Sequence, residues 1–186
     1  GWGAAYLGAR FAPRYGLGFY AVEYPGYGLA KPGSPTETGI YEAAEELLKH
    51  LEMELGVPRS RTVLFGQSIG CAVALEMVQR GFGGKLVLLS PFTSVVEMAT
   101  AIYPFLAPAL KLAPFLVRDP FDNRTKALGV ALPTLIVHGL EDSIVPASMG
   151  QELARLIPGA TLRLVNGMDH NDALDREEAS TAGHGL

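Results

Sequence analysis

The chain has little with which to staple itself, cross a membrane or hold a metal. Cysteine occurs once, at Cys71, so no disulfide can form within the chain. A lone thiol fits a reducing compartment, and the expected location is cytoplasmic. No apolar run reaches the roughly 18 residues that suggest a membrane span. Charged residues make up only 18%, with a formal balance of −4, which leaves no basic footprint for a nucleic-acid partner. C-x-x-C, H-E-x-x-H and G-x-x-x-x-G-K are all missing, which removes common zinc and phosphate-loop chemistries. There is no secretory leader pattern, no internal repeat and no linker. At 186 residues and 48% hydrophobic content, the chain suits a single domain with one core.

What is present is organised around Gly66-Gln67-Ser68-Ile69-Gly70, a G-x-S-x-G pentapeptide. Thr62 to Phe65 before it has strand composition, and Cys71 to Arg80 after it reads as a helix closed by Gly81. The serine therefore falls where a buried strand turns sharply into a helix. Glycines on either side remove side chains that would crowd such a turn. A helix N-terminus beneath the serine favours negative charge. Cys71 reads as a small core thiol in that helix.

The remaining pattern alternates. Gly1 to Tyr15 reads as a helix, and Phe19 to Val22 as a buried strand. Ser34-Pro35-Thr36-Glu37 predicts a helix start, with Ser34 as cap and Glu37 completing a capping box. Apolar residues from Ile40 to Leu55 then repeat at helical spacing, up to Gly56 and Pro58. Lys85 to Leu89, Thr134 to Val137 and Thr161 to Val165 read as further strands, giving five. Ala147 to Ile157 reads as a helix between the last two. Strand–helix alternation predicts an α/β, doubly wound, mostly parallel sheet. Val95 to Val117 breaks the rhythm. Pro104, Pro108 and Pro114 divide it into two or three short helices, which either roof a pocket as a lid or form an irregular crossover. Phe105, Leu106, Leu110, Leu112, Phe115 and Leu116 would line an acyl site in the first case and simply pack in the second.

A serine hydroxyl is a poor nucleophile at neutral pH and needs a base, which in turn needs an orienting acid. In such a sheet these groups come from loops at the carboxyl ends of strands. Of four histidines, His50 lies on an exposed helix side, His138 ends a strand and His184 is in a polar tail. His170 follows the last strand, which makes it the candidate base. Asp142, in the loop after Thr134 to Val137, is the favoured acid. Glu141, Asp119, Asp122 and Asp172 are the alternatives, and Asp172 also suits the cap of a helix starting at Ala173. The backbone N–H of Ile69, next after the nucleophile, is the candidate oxyanion donor.

Together these segments resemble the α/β-hydrolase serine hydrolases. The likeness is to the branch holding the eukaryotic protein depalmitoylases of the α/β-hydrolase-domain class, serine aminopeptidase-like proteins and their bacterial and algal relatives. Glu23-Tyr24-Pro25-Gly26-Tyr27-Gly28 and Gly33-Ser34-Pro35-Thr36-Glu37 are similar to that branch's D-Y-x-G-Y-G and P-S-E signals. Leu89-Ser90-Pro91-Phe92-Thr93-Ser94 and Pro120-Phe121-Asp122-Asn123 also fit. The resemblance implies an α/β-hydrolase fold and hydrolysis of carboxylic esters or thioesters, acylated protein included, through Ser68, Asp142 and His170. It implies no metal or organic cofactor. It also places the segment carrying the second oxyanion donor, with two or three strands, ahead of Gly1. A catalytically impaired subunit serving as a scaffold or interaction module is the competing expectation, and a peptidase is a third. Peripheral membrane contact through Val95 to Val117 is a further expectation for an enzyme of acylated substrates.

Overall fold

The computed structural model describes residues 8, 9, 12, 13, 16–112 and 117–172. The helix expected over Gly1 to Tyr15 and the one expected from Ala173 lie wholly or largely outside these. The described chain forms one four-stranded parallel sheet in the order β1-β2-β3-β4. The strands are β1 Val63–Gln67, β2 Lys85–Leu89, β3 Thr134–Gly139 and β4 Thr161–Val165. The helices are α1 Glu37–Met53, α2 Ile69–Gln79, α3 Val95–Ile102, α4 Ala107–Leu112, α5 Asn123–Ala127 and α6 Ala147–Leu156. A short 3₁₀ turn, Pro104–Leu106, separates α3 from α4, so the proline-rich stretch is broken where its prolines require.

Parallel neighbours cannot be joined by a tight turn, and each pair here is connected through helices or long loops. The register sets Gln67 beside Leu89, Leu89 beside Val137 and Gly139 beside Val165. All four strands thus end along one rim, and the loops carrying Ser68, Ser90, Asp142 and His170 emerge there together.

One face of the sheet packs Leu64, Leu86, Leu88 and Ile136 against α1, α2 and α6. α2 is buried almost all round: Cys71, Ala72, Val73, Ala74, Leu75 and Met77 are all in the core, as its uniformly apolar sequence requires. Leu89, Leu135, Val137 and Met168 form a smaller cluster of their own. A polar network fastens the outer layer. Lys126 of α5 pairs with Glu37 of α1 and Glu76 of α2, while Arg80 reaches both Glu76 and Glu45.

Three expectations need correction. Phe19 to Val22 is not a strand: among the described residues it pairs with no neighbour, and Phe19 and Tyr20 are 38% and 51% exposed. Its apolar run met the strand pattern, but a strand also needs an adjacent ladder, and the β1 to β4 sheet supplies none for it. The sheet therefore has four strands among the described residues, not five. The cap of α1 is Thr36, not Ser34: Thr36 is extended, and its hydroxyl accepts from the Gly39 N–H at 3.1 Å. Glu37 consequently sits at the first helical position. Its carboxylate accepts from the Tyr41 hydroxyl and the Phe121 N–H, both at 2.8 Å, rather than closing a capping box.

The strand-to-helix turn is very tight. A Cβ on Gly66 would lie 2.2 Å from the Gly70 carbonyl oxygen, whereas one on Gly70 would meet only the Tyr24 hydroxyl at 3.7 Å. Only the first glycine is sterically demanded. Gly66→Ala is expected to lower stability by about 1–3 kcal/mol through overpacking. Gly70→Ala, inside α2, is expected to be neutral or to raise stability by up to about 1 kcal/mol. Chemical denaturation of both variants checks the contrast.

Candidate active site

Ser68 stands between β1 and α2 with φ 52° and ψ −118°. Positive φ is uncommon for a residue with a side chain and costs on the order of 1–3 kcal/mol. The surrounding bonds hold it there: the Ser68 N–H donates to Leu89 O at 3.0 Å, and Ser68 O accepts from the Cys71 N–H at 2.9 Å. Ile69 opens α2, where the first amides of a helix have no partner within it. Its N–H thus lies at a helix N-terminus immediately after the serine.

Asp142 follows β3 by way of Gly139. A Cβ on Gly139 would lie 2.0 Å from Met168 O, so the absent side chain lets the acid loop and the histidine loop touch. The Asp142 carboxylate accepts from the N–H groups of Ile144 at 3.0 Å and Val145 at 2.8 Å. Burial would raise its pKa. The Val145 N–H, His170 and the Ile144 N–H together outweigh burial and hold the carboxyl below its ordinary range.

His170 is 6% exposed, and its Nδ1 lies 3.0 and 2.9 Å from the two Asp142 oxygens. With Asp142 ionised, Nδ1–H donates and Nε2 is left as the ring's free nitrogen. The His170 main chain is held as well. Its N–H donates to Asp169 Oδ1 at 2.7 Å, and its carbonyl accepts from Gln67 Nε2 at 3.2 Å. Asp169 also accepts from the Ser143 N–H and hydroxyl, both at 2.8 Å, and Glu141 accepts from the Gly167 N–H. The acid loop and the histidine loop are thus cross-braced. No hydrogen bond joins the Ser68 hydroxyl to His170 among the described residues.

The structure brings Asp142, not its alternatives, to His170. Glu141 serves as a brace, Asp122 caps α5 through the Thr125 N–H, and Asp119 accepts from the Glu37 N–H. Asp172 accepts from the Asp169 N–H at 3.3 Å. Two participants escaped sequence reasoning. Asp169 is charged and beside the candidate base, but its partner Ser143 is 26 residues away. Gln67 is the other, since its partner His170 is 103 residues away. His138, which ends β3, is a packed residue. It is fully buried, donates from Nε2 to Val145 O at 3.0 Å and lies 3.5 Å from Asp142. Its Nδ1 has no partner, and burial pushes its pKa down, so a neutral ring supports the acid loop from below. Cys71 is buried as expected, with its thiol pushed up by burial beyond the range of useful nucleophiles.

The alpha/beta hydrolase family model matches residues 1–128. The chain belongs to that family. Among curated relatives, an uncharacterized Mycobacterium tuberculosis protein is 34% identical over 158 residues, 84% of this chain and 54% of that one. The Caenorhabditis elegans alpha/beta hydrolase domain-containing protein aho-3 is 31% identical over 173 residues, 89% of this chain and 49% of its own. This alpha/beta hydrolase chain therefore spans about half the length of the curated relatives it matches. Its fold is also that of a solved alpha-beta serine hydrolase homologue from Coxiella burnetii. That match has a TM-score of 0.64 and 17% identity, covering 88% of this chain and 66% of that one. The match to the family supports a hydrolase.

The depressed Asp142 pKa has a signed consequence. In acid the unfolded chain takes up this proton first, so the carboxylate's contribution to stability is complete above its unfolded value of about 3.9. It is lost as pH falls through the lower folded value. Asp142→Asn cannot titrate, so its unfolding free energy is expected to fall less steeply than the parent's below about pH 4. The offset between the two is expected to stay constant from about pH 5 to 7. Denaturant titrations across that range check it.

Proposed function

We propose that this chain acts as a serine hydrolase on carboxylic ester or thioester bonds, with S-acyl groups on proteins within its substrate class. The observation that carries the reading is the buried Asp142–His170 pair, at 2.9 Å, tied by Gln67 to the turn that presents Ser68.

In the proposed reaction His170 Nε2 takes the Ser68 hydroxyl proton as the oxygen attacks the acyl carbonyl. Asp142 keeps the proton of Nδ1 in place and stabilises the imidazolium. Negative charge gathers on the former carbonyl oxygen, near the Ile69 N–H and the N-terminus of α2. His170 then passes its proton to the departing alkoxide or thiolate, leaving an acyl-serine. Water, deprotonated by the same ring, releases the acid and restores the serine. Apo sites commonly hold the nucleophile and base further apart than the reacting complex does, which accommodates the missing Ser68–His170 hydrogen bond.

Residues 98–110 carry no charge, and Ile102, Tyr103 and Phe105 are 44%, 52% and 76% exposed. Following β2 on the rim that bears Ser68, this segment suits a lid over an acyl chain and a peripheral contact with a lipid surface. Among the described residues no helix is long and apolar enough to cross a membrane.

A second reading, a hydrolase-like scaffold, is favoured by the unbonded Ser68 hydroxyl. One experiment separates the two. A fluorophosphonate probe is expected to label Ser68, and Ser68→Ala is expected to lose labelling. Turnover of an acyl thioester is expected to drop about 10⁴-fold or more in Ser68→Ala and His170→Ala. A folded protein that neither labels nor turns over ester, thioester or amide substrates would establish the scaffold instead.

A further inference from the structure

We infer that Gln67 is a positioning residue for His170, holding the base in register with the nucleophile. The inference rests on the serine hydrolase reading of the same site.

The argument begins with distance across the sheet. Ser68 leaves β1, and His170 follows β4, three strands away in the order β1-β2-β3-β4. At about 4.8 Å per strand, the two strand ends are about 14 Å apart. The histidine loop must therefore lean back across the ends of β3 and β2. Three hydrogen bonds fix His170, and two of them act from its own side. Asp169 Oδ1 accepts its N–H at 2.7 Å, and Asp142 accepts from its ring at 2.9 Å. Asp169 is braced to Ser143 and Asp142 to the Ile144 and Val145 amides, so these ties refer the ring to the β3 and β4 loops alone.

The third bond differs. Gln67 Nε2 donates to His170 O at 3.2 Å across 103 residues. Gln67 is the last residue of β1 and is covalently joined to Ser68. It is the one hydrogen bond between the elbow and the His170 main chain among the described residues. Its backbone is set by the ladder with Leu89. Its side chain is half-buried, so the bond is partly shielded from competing water. The carbonyl it holds belongs to the residue whose ring must meet the serine. A small rotation of that peptide would swing the ring, and a displacement of about 1 Å can cost on the order of a hundredfold in rate. The amide is suited to this task because it donates without adding charge beside the imidazole. A carboxylate of the same shape could only repel the carbonyl at neutral pH.

The test uses Gln67→Met, which keeps the length and loses the donor, and Gln67→Glu, which keeps the shape and loses the donor at neutral pH. Thermal midpoints establish that both are folded. Thioester kcat and the rate of fluorophosphonate labelling of Ser68 are expected to fall about tenfold or more in each. KM is expected to change less than twofold, because ground-state contacts with substrate are untouched. Hydrogen exchange in the 166–172 segment is expected to quicken, with the rest of the sheet unchanged. Parental kcat and labelling rate in folded Gln67→Met overturn the inference and leave the hydrolase reading standing. If the parent protein itself neither labels nor turns over, the hydrolase reading fails. Exchange then decides whether the tie exists, and unchanged exchange in Gln67→Met overturns it on its own.

Discussion

A carbonyl oxygen, that of Gly70, occupies the space where residue 66 would carry a side chain. The rest of the site depends on this closeness. It lets α2 start directly from the end of β1, and it forces Ser68 into its positive-φ conformation. The serine then stands above the rim with a helix N-terminus below it. The strain is held locally by the Leu89 carbonyl on one side and the Cys71 amide on the other. The apolar surface of α2, pressed between the sheet and α1, keeps the turn from relaxing.

A second close approach governs the other half of the site. Gly139 lies against the Met168 carbonyl, and its missing side chain draws the acid loop and the histidine loop together. Polar ties then lock the two loops: Ser143 with Asp169, and Glu141 with Gly167. The Asp142 carboxylate is thereby met by the Ile144 and Val145 amides and the His170 ring, with His138 beside it. Such an arrangement keeps a fully buried carboxylate ionised, which is the form an imidazole partner needs. For His138 the balance runs the other way. Burial disfavours its charged form, and among the described residues no acceptor meets Nδ1 to offset that.

Where local chemistry decided the outcome, the sequence could be read closely. Lys85–Leu89 and Thr161–Val165 are strands over the residues expected, because an apolar or alternating run is bounded by turn residues at both ends. The strand–turn–helix around Ser68 and the placement of Asp142 and His170 on strand-end loops were legible for the same reason. Phe19 to Val22 was misread because pairing is a property of neighbours, not of composition. Thr36 displaced Ser34 as cap because both carry a capping hydroxyl and it is the one at Thr36 that meets an orphan amide, that of Gly39. α5 was not anticipated, since five residues are too few to show a period. Gln67 and Asp169 carry no local signal at all. Their contacts join positions far apart in the chain, and only the assembled rim reveals them.

The order of the strands sets the two halves of the site apart in space. The turn bearing Ser68 is complete once β1, α2 and β2 are in place, while the ring it faces arrives with the final described strand. Among the described residues β4 has a partner on one side only, and its residues are mostly exposed or half-exposed. Edge elements of this kind open at lower free energy than the centre of a sheet. Detachment of β4 would carry away the imidazole while the elbow, buried under α1 and α2, stayed folded. Opening of that one peripheral strand would thus part His170 from Ser68 while leaving the core standing.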